Sequence, residues 1–232
     1  MNETLPGFQD SGAQILIKLG GSLLFDLNKC RLLAKEIDDL SKKYKIVIFP
    51  GGGPIDKYIE DCNKELHFPP FIHHQLCARA QDQTGLIFGS LCSNARFFSS
   101  LVELRPLFEA RHMAIMLPMK MIVELDIFEK SWRITSDTMA AYFANLLSVN
   151  KISILKSVDG LYKSLDNKIE GQIKTIAASD LSKWRDTIVD ECLCPFLLNK
   201  SMSCCILNGY NIDAVSEWIK TGKCAGTTIL PR

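Results

Sequence analysis

This 232-residue chain has no long apolar run, no surplus of one charge and no metal-ligand spacing, and each absence removes a class of function. No apolar stretch approaches the roughly 20 residues of a membrane span. Twenty-seven basic side chains against 26 acidic ones leave a formal net charge of +1. That is too little to attract nucleic acid or an anionic membrane surface, so neither is expected as a partner. The opening MNETLPGFQD lacks the basic and apolar segments of a secretory leader, and a cytoplasmic location is expected. The nine cysteines are odd in number and scattered through a chain large enough to fold without a disulfide framework. Reduced, mostly buried thiols are expected. Cys192 with Cys194 and Cys204 with Cys205 come nearest to a metal signature, but they lack both C-x-x-C spacing and a nearby histidine, so no metal site is expected. His73 and His74 are adjacent and point to different faces of a helix, which suits a capping or substrate-edge role.

What is present is an alternation of strand and helix patterns. With 47% hydrophobic residues the chain can bury a large core as one domain or two tightly joined lobes. Residues 1–232 are expected to form one domain, with 1–12 as an N-terminal extension. ILIKL predicts a strand over 14–19, and Leu32, Leu33, Ile37 and Leu40 recur at helical spacing after it. KIVIFP is a second strand, GGG a loop, and PIDKYIEDCNKEL a helix with proline in its permitted first turn. A long helix is expected from about Ile72 to Phe98 and a short strand at MAIMLP. SDTMAAYFANLL follows as a helix with a Ser/Asp cap, and KISILKS and SCCILNG as further strands. Such alternation implies an α/β protein whose mainly parallel sheet is covered on both faces.

The unusual residues fall where strands end. Lys18 leads into Gly20, Gly21 and Ser22, the second strand runs into Gly51, Gly52 and Gly53, and SVDGLY follows the strand at 151–156. Ligands of open α/β sheets sit at those carboxyl ends. Glycine loops that feed helix N-termini can hold anions with their amides, and a lysine adds a point charge; a tight β-to-α turn is the alternative. Two such loops side by side suit a phosphate donor and an anionic acceptor. No Ser/His/Asp or Cys/His arrangement points to nucleophilic catalysis.

IKLGGSLL, FPGGGP, TSDTMAAYFANLL, ILKSVDGLY and AGTTI occur in the order and approximate spacing of the amino acid kinase superfamily, which the chain resembles over nearly its whole length. ARAQDQTGLIFGSL, SWRITSDTMAAYFA and CILNGYNIDAV look most like the subgroup containing the methanofuran-pathway kinase of (aminomethyl)furanylmethyl phosphate. Uridylate kinase and the molybdenum storage proteins are similar but more distant. The resemblance implies a three-layer αβα sandwich, a homo-oligomer, ATP with Mg²⁺ as donor, and a small-molecule anionic acceptor such as an alkyl phosphate. A non-catalytic ATP-binding storage protein is the alternative. By the same resemblance, Lys18 and Asp137 are catalytic. Gly20, Gly21, Ser22, Lys156, Ser157, Asp159 and Tyr162 bind ATP, and Gly51, Gly52, Gly53, Arg133, Ser136 and Thr138 bind the acceptor. By itself Asp137 reads first as a helix cap, and the resemblance reverses that preference. Two departures stand out: IVDECLCPFLLNK has no lysine before Lys200 where the N-acetylglutamate kinase branch carries a second catalytic one, and Arg133 stands where methanofuran-type kinases tend to be acidic. An amino-acid acceptor is correspondingly disfavoured. Arg133 suits either a bidentate phosphate contact or a surface ion pair, and Trp132 is expected in the core.

Overall fold

A computed structural model describes residues 11–162, 171–184 and 187–232. Strand β1 (Ile15–Leu19) passes through a 3-10 turn (Gly21–Phe25) into α1 (Leu27–Ser41), β2 (Ile46–Pro50), α2 (Gly53–Leu66) and α3 (Pro70–Gly89). Next come β3 (Ala95–Phe98), α4 (Leu104–Glu109), β4 (Met113–Met116), α5 (Met119–Leu125), α6 (Ser136–Leu146) and β5 (Ile152–Lys156). β6 (Leu161–Tyr162) and β7 (Gln172–Ile173) form a small ribbon, followed by β8 (Thr175–Ala177), α7 (Ala178–Leu181), α8 (Leu193–Lys200), β9 (Cys204–Asn208), α9 (Ile212–Thr221) and β10 (Thr227–Leu230). Among the described residues one eight-stranded sheet runs β3-β4-β2-β1-β5-β9-β10-β8, parallel at every pairing except β9 with β10.

The central strands are continuously apolar because both faces of the sheet are covered. Alternate residues divide between two cores. Leu16, Val47, Ile154 and Ile206 pack with α6 and α8, whereas Ile15, Ile17, Ile48 and Leu207 pack with α1 and α9. By the same two-residue period Lys18 shares the face of Leu16, so a buried charge is delivered beneath α6. Among the described residues no helix is long and apolar enough to cross a membrane.

Four expectations change. The helix expected to reach Phe98 ends at Gly89, and Ala95–Phe98 is an edge strand. The break is held from a distance: the Asp38 carboxylate accepts from Ser93 N at 3.0 Å, Ser93 Oγ at 2.6 Å and Asn94 N at 2.8 Å. On α1 the buried stripe is Cys30, Leu33, Ala34, Ile37 and Leu40, and Leu32 faces solvent. Most of the expected extension lies outside the described residues, but Ser11 is packed in, its hydroxyl donating to the Leu147 carbonyl. Finally, Cys205 and Cys224 form a disulfide, because the antiparallel return from β9 to β10 brings their Cα atoms to 6.2 Å. Seven cysteines are free, of which Cys30, Cys194 and Cys204 are buried. Alkylation of denatured protein is therefore expected to add seven groups without reductant and nine after reduction, read by intact mass. Nine without reductant would show that the pair is reduced.

Candidate active site

Lys18 on β1 pairs in register with Ile154 on β5, and Lys156 lies one pleat further along the same face. Both ammonium groups therefore emerge at the carboxyl edge of the sheet under the first turn of α6. There Asp137 receives them: Lys18 Nζ lies 2.7 Å from Oδ1 and Lys156 Nζ 2.8 Å from Oδ2. Asp137 and Lys18 side chains are 3% and 5% exposed, while Lys156 retains 18% and opens toward the cleft. Burial alone would push the Asp137 carboxyl up, but Lys156 and Lys18 overcome it and hold the group at about 2. Burial lowers Lys18; Asp137 opposes that shift, and the like charge of Lys156 adds to it. Two cations thus share one carboxylate, and of the two Lys156 faces the cleft.

Asp137 is not the helix cap. Thr135 holds that position, with its side chain accepting from Asp137 N. A second carboxylate fixes the turn: Asp190 accepts from Thr135 N at 2.8 Å, Thr135 Oγ1 at 2.9 Å and Thr138 N at 3.0 Å, and also from the Thr138 hydroxyl. It accepts from Leu193 N at 3.0 Å as well, so one side chain satisfies leading amides of α6 and α8 together. In the sequence Asp190 stands out only as part of IVDECLCPFLLNK, the stretch without a lysine before Lys200. The sole available signal was an acidic residue just before a helix, a common capping pattern.

The two glycine turns touch. A side chain on Gly21 would overlap the Gly53 backbone, so the close approach of the turns requires glycine there, and Gly53 has φ +64, which L side chains rarely adopt. Each turn opens a helical segment, the 3-10 turn at Gly21 and α2 at Gly53, whose leading amides have no intrahelical partner. Gly20, Gly21 and Ser22 thus lie directly beside Gly51, Gly52 and Gly53. Ser136 joins the second group, its hydroxyl facing Gly51.

The remaining expected site residues scatter. Lys156, expected at the nucleotide edge, lines the large cleft and pairs with Asp137. Ser157 and Asp159 are exposed beyond it; Asp159 accepts from Asn208 Nδ2 at 2.8 Å, and Tyr162 pairs with Gln172 in the β6–β7 ribbon. Thr138 is buried, and its hydroxyl donates to Asp190. Arg133 takes the ion-pair alternative, with Nε 3.0 Å from Glu191 and Nη1 3.4 Å from Glu129, on the rim of a cleft of about 920 Å³ that also includes Asp137, Lys156, Trp184 and Asp190. Trp132 is half-exposed, not core, and its ring lies 4.6 Å from that of His73. Among the described residues no group of three or more His, Cys, Asp or Glu side chains is placed to hold a metal ion.

The amino acid kinase family model matches residues 13–198. The chain belongs to the amino acid kinase family. It is a kinase whose family uses ATP. It is 31% identical over 207 residues to [5-(aminomethyl)furan-3-yl]methyl phosphate kinase of Methanocaldococcus jannaschii, covering 87% of this chain and 91% of that one. In fold it matches uridylate kinase from Archaeoglobus fulgidus (TM-score 0.73, 19% identity, 93% of this chain and 99% of that chain). It also matches UMP kinase from Ureaplasma parvum (0.74, 21%, 94% and 98%). These likenesses establish the family's α/β fold with its mainly parallel eight-stranded sheet.

Replacing Asp137 by Asn strands two buried or half-buried ammonium groups and is expected to cost about 3–5 kcal/mol of stability, well beyond the loss of a cap. The carboxylate's stabilisation is complete above its unfolded value near pH 4 and is lost as pH falls through about 2. Urea unfolding across pH 2 to 5 is expected to show that acid-side loss in the wild type, with a flatter profile in Asp137→Asn. Equal stability of the two proteins at pH 7 would contradict the buried pairing.

Proposed function

We propose that this chain transfers the γ-phosphoryl group of MgATP to an anionic oxygen of a small phosphorylated acceptor, with [5-(aminomethyl)furan-3-yl]methyl phosphate the leading candidate. The observation that carries this is the pair of ammonium groups, Lys18 and Lys156, set by one buried carboxylate at the edge of the sheet where two glycine turns meet. Phosphoryl transfer needs positioning and neutralisation of charge on the oxygens in flight, and fixed cations with backbone amides supply both. The acceptor oxygen forms a bond to the γ-phosphorus as the bond to the β-phosphate oxygen breaks, which releases ADP. An acceptor already ionised has no proton to lose, so no general base is required.

Lys156 supplies a second cation from β5, and Asp137 holds it beside Lys18. The turn around Gly20–Ser22 suits the ATP phosphates and the turn around Gly51–Gly53 with Ser136 suits the acceptor. The cleft bounded by Trp184, Asp190 and Arg133 has room for the rest of the nucleotide. Both Asp137 oxygens are engaged by lysines and both Asp190 oxygens by α6 and α8. A magnesium ion would therefore ride on the ATP phosphates with little help from protein carboxylates. The acceptor assignment draws on the relative from Methanocaldococcus jannaschii and on the lack of any lysine before Lys200 in the stretch where the N-acetylglutamate kinase branch carries one ahead of a late helix.

Purified protein is expected to release ADP only when the furanylmethyl phosphate is added, with the diphosphate product visible by ³¹P NMR. ADP release without acceptor, or none with any phosphate or carboxylate offered, would overturn the proposal. Lys18→Ala and Lys156→Ala are each expected to lower kcat about 10²–10³-fold with much smaller changes in ATP affinity, and the double variant is expected to lose less than the product of the two. Independent, multiplicative losses would argue against a shared carboxylate.

A further inference from the structure

Between α2, α3 and residues 131–139 lies a second, smaller cavity, lined by Asp56, His73, Cys77, Gln81, Trp132 and Ser136 among others. It holds about 30 Å³, the share of a single water molecule, so only a small group can enter without rearrangement. Two buried atoms on its wall have no hydrogen-bond partner, Asp56 Oδ1 and Gln81 Oε1. Gln81 is 3% exposed, and its amide nitrogen finds only the Met139 sulfur at 3.7 Å. Native interiors rarely leave such groups unpaired, and a ligand is one reason to do so.

Both orphan atoms are acceptors, which decides what fits. A phosphate or carboxylate offers no proton and would meet the Asp56 charge, whereas a primary ammonium offers three donors to a carboxylate and an amide oxygen. The groups that act on Asp56 are the Cys77 thiol beside it, Lys18 on the reaction side, and Glu60. Burial pushes the Asp56 carboxyl up, and a cation beside it would restore the ionised form. His73 and His74 are both held below their usual range, first by burial, so they add little competing positive charge at neutral pH. The Asp56 wall of the pocket abuts the second glycine turn: a side chain on Gly52 would overlap the Asp56 carboxylate, and Asp56 N donates to the Gly52 carbonyl at 3.3 Å.

We propose that Asp56 and Gln81 select acceptors bearing a primary ammonium group, which enters this pocket while the acceptor's anionic oxygen lies at the Gly51–Gly53 turn facing Lys18. The body of the acceptor then rests against Trp132, whose half-exposed ring packs tilted against His73 and forms the outer wall. This rests on the kinase reading above and names what its acceptor must carry. The negative charge of Asp56 sets specificity, and Gln81 sets where the ammonium stops.

Two matched pairs test it, each measured by calorimetric binding without ATP and by ADP release. One pair is [5-(aminomethyl)furan-3-yl]methyl phosphate and its 5-methyl analogue; the other is 2-aminoethyl phosphate and ethyl phosphate. The wild type is expected to favour the amine on the order of a hundredfold or more in at least one pair, as a site built to meet a donor rejects a ligand without one. Asp56→Asn is expected to bring that ratio toward one, and Gln81→Met to reduce it, with circular dichroism confirming the fold. No preference for the amine in either pair, absence of binding included, overturns the proposal, as does a ratio unchanged in both variants. A binding preference without any ADP release upholds the ammonium pocket and overturns the kinase reading instead.

Discussion

The carboxylate of Asp137 organises the molecule's reactive end. Two ammonium groups carried by adjacent parallel strands would repel one another in a site shielded from water, and only a shared counter-charge lets both stay. That counter-charge must come from the layer above the sheet, at the start of a helix, which determines where α6 begins. Its first turn is fastened in turn by Asp190, whose oxygens also receive the first turn of α8. Sheet, α6 and α8 are thereby locked by two acidic side chains that divide the work: Asp137 orients charge, and Asp190 orients backbone.

The glycine turns complete the arrangement by geometry more than by flexibility. Gly21 lies so close to the Gly53 backbone that no side chain fits on it, which brings the leading amides of two helical segments within one small region. A donor phosphate and an anionic acceptor require such adjacency, because transfer depends on holding both near the same cations. The ammonium pocket extends this logic. Anion at one end of the acceptor and cation at the other would orient the molecule in a single sense, with Asp56 and Lys18 as opposite poles.

Much of the fold was legible because parallel, doubly covered strands are apolar throughout and interrupted only where chemistry intrudes; Lys18 in ILIKL is the clearest example. What escaped were features fixed by partners distant in sequence. The stop after Gly89 depends on Asp38, and the Cys205–Cys224 bond depends on the antiparallel return of β10. Trp132 was expected in the core on composition alone, although its ring pairs with His73 near the surface.

By itself the sequence determined the strand and helix alternation, the two glycine turns and the place of Lys18 near the carboxyl end of its strand, since these follow from local periodicity and turn chemistry, whereas Asp137 was marked only by the family resemblance. Only the tertiary structure decided that Asp137 is a bridging charge and Thr135 the cap, that Lys156 and not a residue of α8 is the second cation, and that Asp190 clasps two helices. The reason is physical. A carboxylate near a helix start can cap, pair or clasp, and the choice depends on which donors the packed sheet brings within about 3 Å, a distance that sequence spacing does not encode.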